Sequence, residues 1–344
     1  MSTKGRFDNN RTFGIEIECL KPRSYSNQSL RTKLRDDYNI QFGGTEGWKI
    51  VGDISVGSHI SSHTGSTEIV SGILKGQAGL DEVKKMYDAL EELDIRVNKT
   101  CGLHVHHDIN EWKRAARRTH VAGSLRIAVK KVRYLISLIA RYEHVIYSVL
   151  PKSRLNGTYS NTINKTYHER FWTTGHSFNE ARHGERNKSI RSFLKNTRGH
   201  WQRFQRSRYC GLNFGAFWRQ GTVEFRYGSG TVNATKAINW IVFTQLFVNA
   251  AEIRSEQNRR IRMTNEEPYR TTQDRKTALA HLKVVLGITR SGMDARQGIV
   301  RDELVKGLDS YLTERQNHFA PNWTQDGNGT GSHYDRANLN GRIS

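Results

Sequence analysis

Cys101-Gly102-Leu103-His104-Val105-His106-His107-Asp108 alternates with the period of a half-buried strand. Leu103, Val105 and His107 point one way, and His104, His106 and Asp108 point the other. Two imidazoles and a carboxylate therefore share one face, at separations that a strand keeps constant. Neutral imidazole and carboxylate are the groups that a divalent cation, or a metal complex of a phosphate, requires.

Two further stretches repeat the pattern. In Arg11-Thr12-Phe13-Gly14-Ile15-Glu16-Ile17-Glu18-Cys19 the apolar residues take one face and Glu16 and Glu18 the other. In Gly221-Thr222-Val223-Glu224-Phe225-Arg226-Tyr227, Val223, Phe225 and Tyr227 point inward while Glu224 and Arg226 point outward. Like charges side by side on a sheet cost stability unless a cation or water satisfies them. With Glu68 from the strand-like Thr67-Glu68-Ile69-Val70-Ser71, the donors Glu16, Glu18, Glu68, His104, His106 and Glu224 suffice for two octahedral ions. An oxygen-rich set with one imidazole suits magnesium or manganese better than zinc. Such ions clamp polyphosphate, and Arg226 or Arg154 could offset charge on a transferred phosphoryl group. The chain has no GxxxxGK[ST] loop, so a nucleotide would be held by metals and arginines.

The surroundings of these strands predict an α+β plan with antiparallel strands and long helices behind them. Trp48 to Asp53 reads as a short strand, and Lys21 to Gly47 as a polar connection. Gly57 to Ser66 lacks apolar anchors and reads as a surface loop in which His59 and His63 are solvated. Helical spacing recurs through Leu80, Val83, Tyr87, Leu90 and Leu93, from Ser124 to Leu150, and from Ala234 to Ile253. Two more helices are expected near Gln273 to Gly287 and Ile299 to Gln316. Tyr209 to Phe217 and the Glu224/Arg226 strand read as a hairpin. A single domain over residues 1–316 is expected, with a basic, aromatic-rich insertion around 151–208 and a disordered tail at 317–344.

Composition narrows the partners. The 344 residues are 36% apolar and 10% aromatic, enough for a large core, and the net charge is +21. Between Lys113 and Arg219 stand 23 basic residues against four acidic ones, a net of +19, so the positive charge is concentrated there. Such asymmetry points to an acidic polymer or nucleic acid as partner of the 113–219 region. No run approaches the roughly 18 apolar residues of a membrane span, and Met1 to Asn10 is polar; a cytoplasmic protein with no membrane partner is expected. Cys19, Cys101 and Cys210 form no CxxC and read as buried thiols.

Taken in order, Phe13-Gly14-Ile15-Glu16-Ile17-Glu18, Trp48 with Asp53-Ile54-Ser55, Thr67 to Ser71 and Cys101 to His106 resemble the successive signatures of the amidoligase family. Ser153-Arg154 with Asn156, Leu212-Asn213-Phe214 and Glu224-Phe225-Arg226 continue the series. That family is related to glutamate-cysteine ligase and glutamine synthetase. The resemblance implies a curved antiparallel sheet, the glutamine-synthetase-like saddle, with helices on its convex side. It implies ATP and two or three Mg2+ or Mn2+ ions on the concave face, and a carboxylate donor joined to an amine acceptor through an acyl phosphate. Glu16, Glu18, Glu68, Glu224 and one of His104 and His106, the former first, would hold metal. Arg226 would steady the phosphoryl group, Arg154 would bind phosphate or carboxylate, and Asp53 would receive the amine. The residues alone leave open a basic nucleic-acid-binding protein with an inactive site, and a two-metal nuclease.

Overall fold

In the computed structural model, described over residues 4–57, 62–117, 124–154, 210–257, 275–289 and 302–319, the three alternating stretches form adjacent strands. The first is β1 (Thr12–Pro22), which pairs antiparallel with β3 (His63–Val70) on one side and β5 (Gly102–Asp108) on the other. Beyond β3 lies the short edge strand β2 (Lys49–Gly52). Beyond β5 lie β7 (Thr222–Ser229) and the two-residue β6 (Leu212–Asn213). A further two-residue strand, β4 (Leu74–Lys75), pairs with the start of β1. Every pairing between these strands is antiparallel and the sheet is open, so among the described residues the α+β expectation is met.

Alternation buries one face of this sheet against helices. Ile15, Ile17, Val105, His107, Val223 and Phe225 are all 0–1% exposed. Seven helices accompany the sheet among the described residues: α1 (Asn27–Tyr38), α2 (Gly76–Glu92), α3 (Asn110–Arg117), α4 (Ser124–Ser148), α5 (Ala234–Glu256), α6 (Arg275–Leu286) and α7 (Glu303–Phe319). The most deeply placed is α5, which is buried without a break from Trp240 to Glu252. A helix apolar on all sides must be enclosed. This one touches β5 and is wrapped by α2, α4, α6 and α7.

Polar ties lock that packing. His107 Nε2 lies 2.8 Å from the Thr244 hydroxyl of α5, and the Phe225 ring packs beside His107 and Phe247. Arg11 donates to the Asp108 carbonyl and to the Glu252 carboxylate at 2.6 Å, and Trp112 Nε1 donates to the same carboxylate. From α4, Glu143 accepts a 2.6 Å hydrogen bond from the Tyr227 hydroxyl of β7. A buried polar group without such a partner would cost about 1–3 kcal/mol.

Several expectations need correction. The 21–47 connection contains α1, which packs only Leu30 and Leu34 and begins at a capping box made by Ser26 and Ser29. Two apolar residues and a Ser-x-x-Ser box are a weak helical signal. The short α3 was likewise not anticipated. The 57–66 loop is shorter than expected, because β3 begins at His63, and that histidine is 1% exposed instead of solvated. Its Nε2–H donates to the Asp94 carbonyl at 2.8 Å while Nδ1 accepts from Ser62. His59 falls outside the described residues, as does the 155–209 part of the basic insertion. At the C-terminal side α7 runs to Phe319, past the expected start of the tail. All three cysteines are buried free thiols, as expected.

Candidate active site

Strand register brings the acidic and imidazole groups together on the sheet face opposite α5. Glu16 stands across from His104, Glu18 across from Glu68, and His106 across from Glu224. His104 is the hub and is only 2% exposed. Its Nδ1 lies 3.1 Å from Glu16 and 3.6 Å from Glu224, and its Nε2 lies 3.4 Å from Glu18. Among the described residues two groups of potential ligands result, Glu16 with His104 and Glu224, and Glu18 with Glu68 and His104; in each the ligand atoms lie within 4.8 Å of one another. His106 sits at the rim, with Nε2 3.1 Å from Glu16 and Nδ1 3.2 Å from the Thr222 hydroxyl.

The charges are far from their ordinary balance. Burial would raise Glu16, but His106 and His104 outweigh it and hold its carboxyl well below the usual range. Burial also opposes ionisation of Glu224, and there Arg226 and His106 prevail and lower it. Glu68 has less relief, because the lowering effect of Arg226 is outweighed. Its burial and the negative charges of Glu16, Asp53 and Glu18 push it up to about 8. Crowded carboxylates with one left protonated fit a site that takes up cations, because a divalent ion can replace the proton. The donors, mostly carboxylate oxygens with one imidazole, could hold a hard divalent ion such as magnesium or manganese.

The surrounding groups set positions. Arg226 NH1 lies 2.5 Å from one Glu224 oxygen, and Asn213 Nδ2 donates to the other at 2.6 Å. Asn213 is itself fixed by accepting the Gly215 N–H at 2.8 Å. Gly102 donates its N–H to Glu18 at 2.5 Å. Asp53, just past β2, accepts from the Ser55 N–H and is close enough to Glu68 to influence its proton, but belongs to neither ligand group. Arg154 is buried behind the site, and its guanidinium donates to the carbonyls of Tyr227, Arg226 and Cys101 within electrostatic reach of Glu18.

Asn213 and the Gly102 N–H were not assigned roles from the residues alone. Asn213 lies on a strand of two residues, too short for alternation to reveal its face, although Asn-Phe-Gly is an Asx-turn pattern. Backbone donors leave no side-chain signal at all.

The family model described as "Putative amidoligase enzyme" matches residues 9–248, which include every strand of the sheet. No curated protein matches the sequence. With the greater part of its length matched, and all the residues of the acidic and histidine cluster inside the matched span, the chain belongs to the amidoligase family.

Proposed function

We propose that the protein is an ATP-dependent carboxylate–amine ligase that forms an amide bond through an acyl phosphate. The observation that carries this reading is the pair of ligand groups sharing His104, set directly beside the Arg226 guanidinium on one sheet face of an amidoligase. Glu16, Glu18, Glu68, His104 and Glu224 would hold magnesium or manganese, which would supply positive charge to offset that of the ATP phosphates. On this reading the sheet face is the equivalent of the glutamine-synthetase-like saddle.

The remaining steps fall to side chains. Arg226, anchored on Glu224, presents fixed positive charge to the γ-phosphoryl group as a donor carboxylate oxygen attacks phosphorus and the bond to ADP breaks. The amine nitrogen then attacks the acyl carbon, phosphate leaves, and Asp53 takes the proton released by the amine. Arg154 steadies β7 at Arg226 and Tyr227, and Cys101 at the start of β5, through its carbonyl contacts, which supports a positioning role beside any contact with substrate. The positive charge of the 113–219 region supports an acidic acceptor or donor.

The test is release of ADP and phosphate from ATP with magnesium or manganese across pools of amino acids, polyamines, acidic peptides and nucleic acids, with mass spectrometry of the active pool. Acceptor-dependent turnover is expected, lost by at least about 100-fold in Glu224→Gln. Turnover on an acidic polymer should fall steeply with added salt. ATP left intact with every pool, or phosphodiester cleavage that needs no ATP, would overturn the proposal.

A further inference from the structure

On the helix side of the sheet lies a concavity of about 310 Å³ whose lining includes none of the residues of the acidic cluster. It opens where β5 begins and β7 ends, between the first turns of α5, the end of α4 and the last turns of α7. Leu103 lines it, while its neighbours Gly102 and His104 face the carboxylates across the strand. The volume falls at the lower end of the range of small-molecule sites, about 300–1,000 Å³.

Its lining has one sign of charge. Lys99, Lys236 and Arg315 contribute to the wall, and no aspartate or glutamate does among the described residues. Hydroxyls come from Ser153, Ser229 and Thr231. Trp240, 5% exposed, forms part of the wall, and its indole N–H has no hydrogen-bond acceptor among the described residues. A buried donor without an acceptor costs about 1–3 kcal/mol, a penalty usually met where a ligand or water supplies one. Lys236 and Thr231 also border the N-terminus of α5, a 23-residue helix whose dipole favours negative charge.

Tyr311 and Phe319 make an aromatic part of the wall, and Asn98 adds a polar amide. Arg315 is fixed by donating to the Val149 carbonyl at 2.8 Å, and its guanidinium lies 4.7 Å from the centre of the Phe319 ring and 5.5 Å from that of Tyr311. Leu150 and Pro151 continue this surface. A bare inorganic anion would use the cations and leave the aromatic wall uncovered. A neutral ring would use the wall and leave the positive charges of Lys99, Lys236 and Arg315 without a counter-charge in the cavity.

We infer that this cavity binds a small organic anion bearing a flat apolar ring, at a site separate from the carboxylate face. The anion meets Lys99 and Lys236, and the ring lies against Tyr311, Phe319 and Trp240. Phenyl phosphate combines both features, and inorganic phosphate and phenol each carry one.

Calorimetric titration of the full chain in metal-free buffer tests this, since the acidic cluster then repels anions. At about 0.15 M salt, charges beyond about 8 Å are screened, so distant surface charge contributes little. Phenyl phosphate is expected to bind saturably with one site per chain, at least about tenfold more tightly than phenol or phosphate. Lys236→Glu and Lys99→Glu should each weaken it about tenfold, whereas Lys84→Glu on the exposed face of α2 should not. An acid in the first turn of α5 suits the helix dipole, so Lys236→Glu is expected to fold, which circular dichroism checks. Binding unchanged by both cavity reversals, equal affinity for inorganic phosphate, or no binding of phenyl phosphate would overturn the inference.

Discussion

At position 102 any side chain would collide: a Cβ there would stand 2.9 Å from His104 Nε2, 3.1 Å from Glu18 Oε2 and 3.4 Å from Arg154 NH2. The missing methyl is what lets the buried Glu18 carboxylate reach the Gly102 N–H with one oxygen while the hub imidazole of His104 stands 3.4 Å from the other. Gly102→Ala should therefore displace Glu18 or His104 while the β5 backbone, which needs no left-handed φ here, stays in its strand. The expected result is manganese or magnesium affinity lowered about 10–100-fold, as for other groups that orient metal ligands, with the thermal midpoint nearly unchanged. Unaltered metal affinity by calorimetry would remove Gly102 from the site. The faces of Glu16, Glu18, His104, His106, Glu224 and Arg226 were legible in the sequence because each sits on a strand long enough for period-two alternation to declare itself. Gly102 and Asn213 were not, since one acts through the absence of a side chain and the other through a turn. His63 misled for a different reason. Its neighbours are small and polar, and only the fold supplies the Asp94 carbonyl that makes its burial tolerable.

Among the elements, α5 does most to hold the sheet flat side inward. Phe247, fully buried, packs its ring 6.4 Å from Phe225 of β7 and 5.2 Å from Phe243. Truncating such a ring removes its transfer free energy and leaves a cavity, together about 3–5 kcal/mol. Phe247→Ala is expected to lower stability in urea by that amount and to reduce ligand-site integrity with it, because β7 carries Glu224 and Arg226. A loss below about 1 kcal/mol would mean that β7 is held chiefly by β5 and β6. The strength of the α5 signal in the sequence follows from the same burial: a long run of apolar residues with few charges has no solvent face to adopt. The failures among elements were short or sparsely apolar. α1 depends on two leucines and a serine cap, and α3 on Trp112 and Ala116, so neither shows the repeated spacing from which a helix is inferred.

For the whole molecule, the acidic cluster is a local reserve of negative charge inside a chain of net charge +21, and it ties stability to pH and to cations together. Glu68 is pushed up to about 8 by burial and by its acidic neighbours, against an ordinary value of 4.5. The folded protein thus holds a proton that the unfolded chain releases, and stability present below the ordinary value is lost as pH climbs through about 8. His106 acts in the same direction: burial opposes its charge, Glu16 overrides burial, and its raised value means stability lost as pH rises past it. Glu16 and Glu224, both lowered, lose their contribution only as pH falls, so they govern the acid side. The metal-free protein should accordingly show a falling thermal midpoint between about pH 5.5 and 8. Glu68→Gln, neutral throughout, should flatten a good part of that fall. Saturating manganese should do the same in the wild type by taking the place of the proton, and should do so less well in the variant, which has lost a ligand. A decline of the same slope in wild type, in Glu68→Gln and in the metal-loaded protein would show that the cluster is not a cation site, whatever its geometry, because the charge crowding that makes Glu68 hold its proton would then have no consequence for the fold.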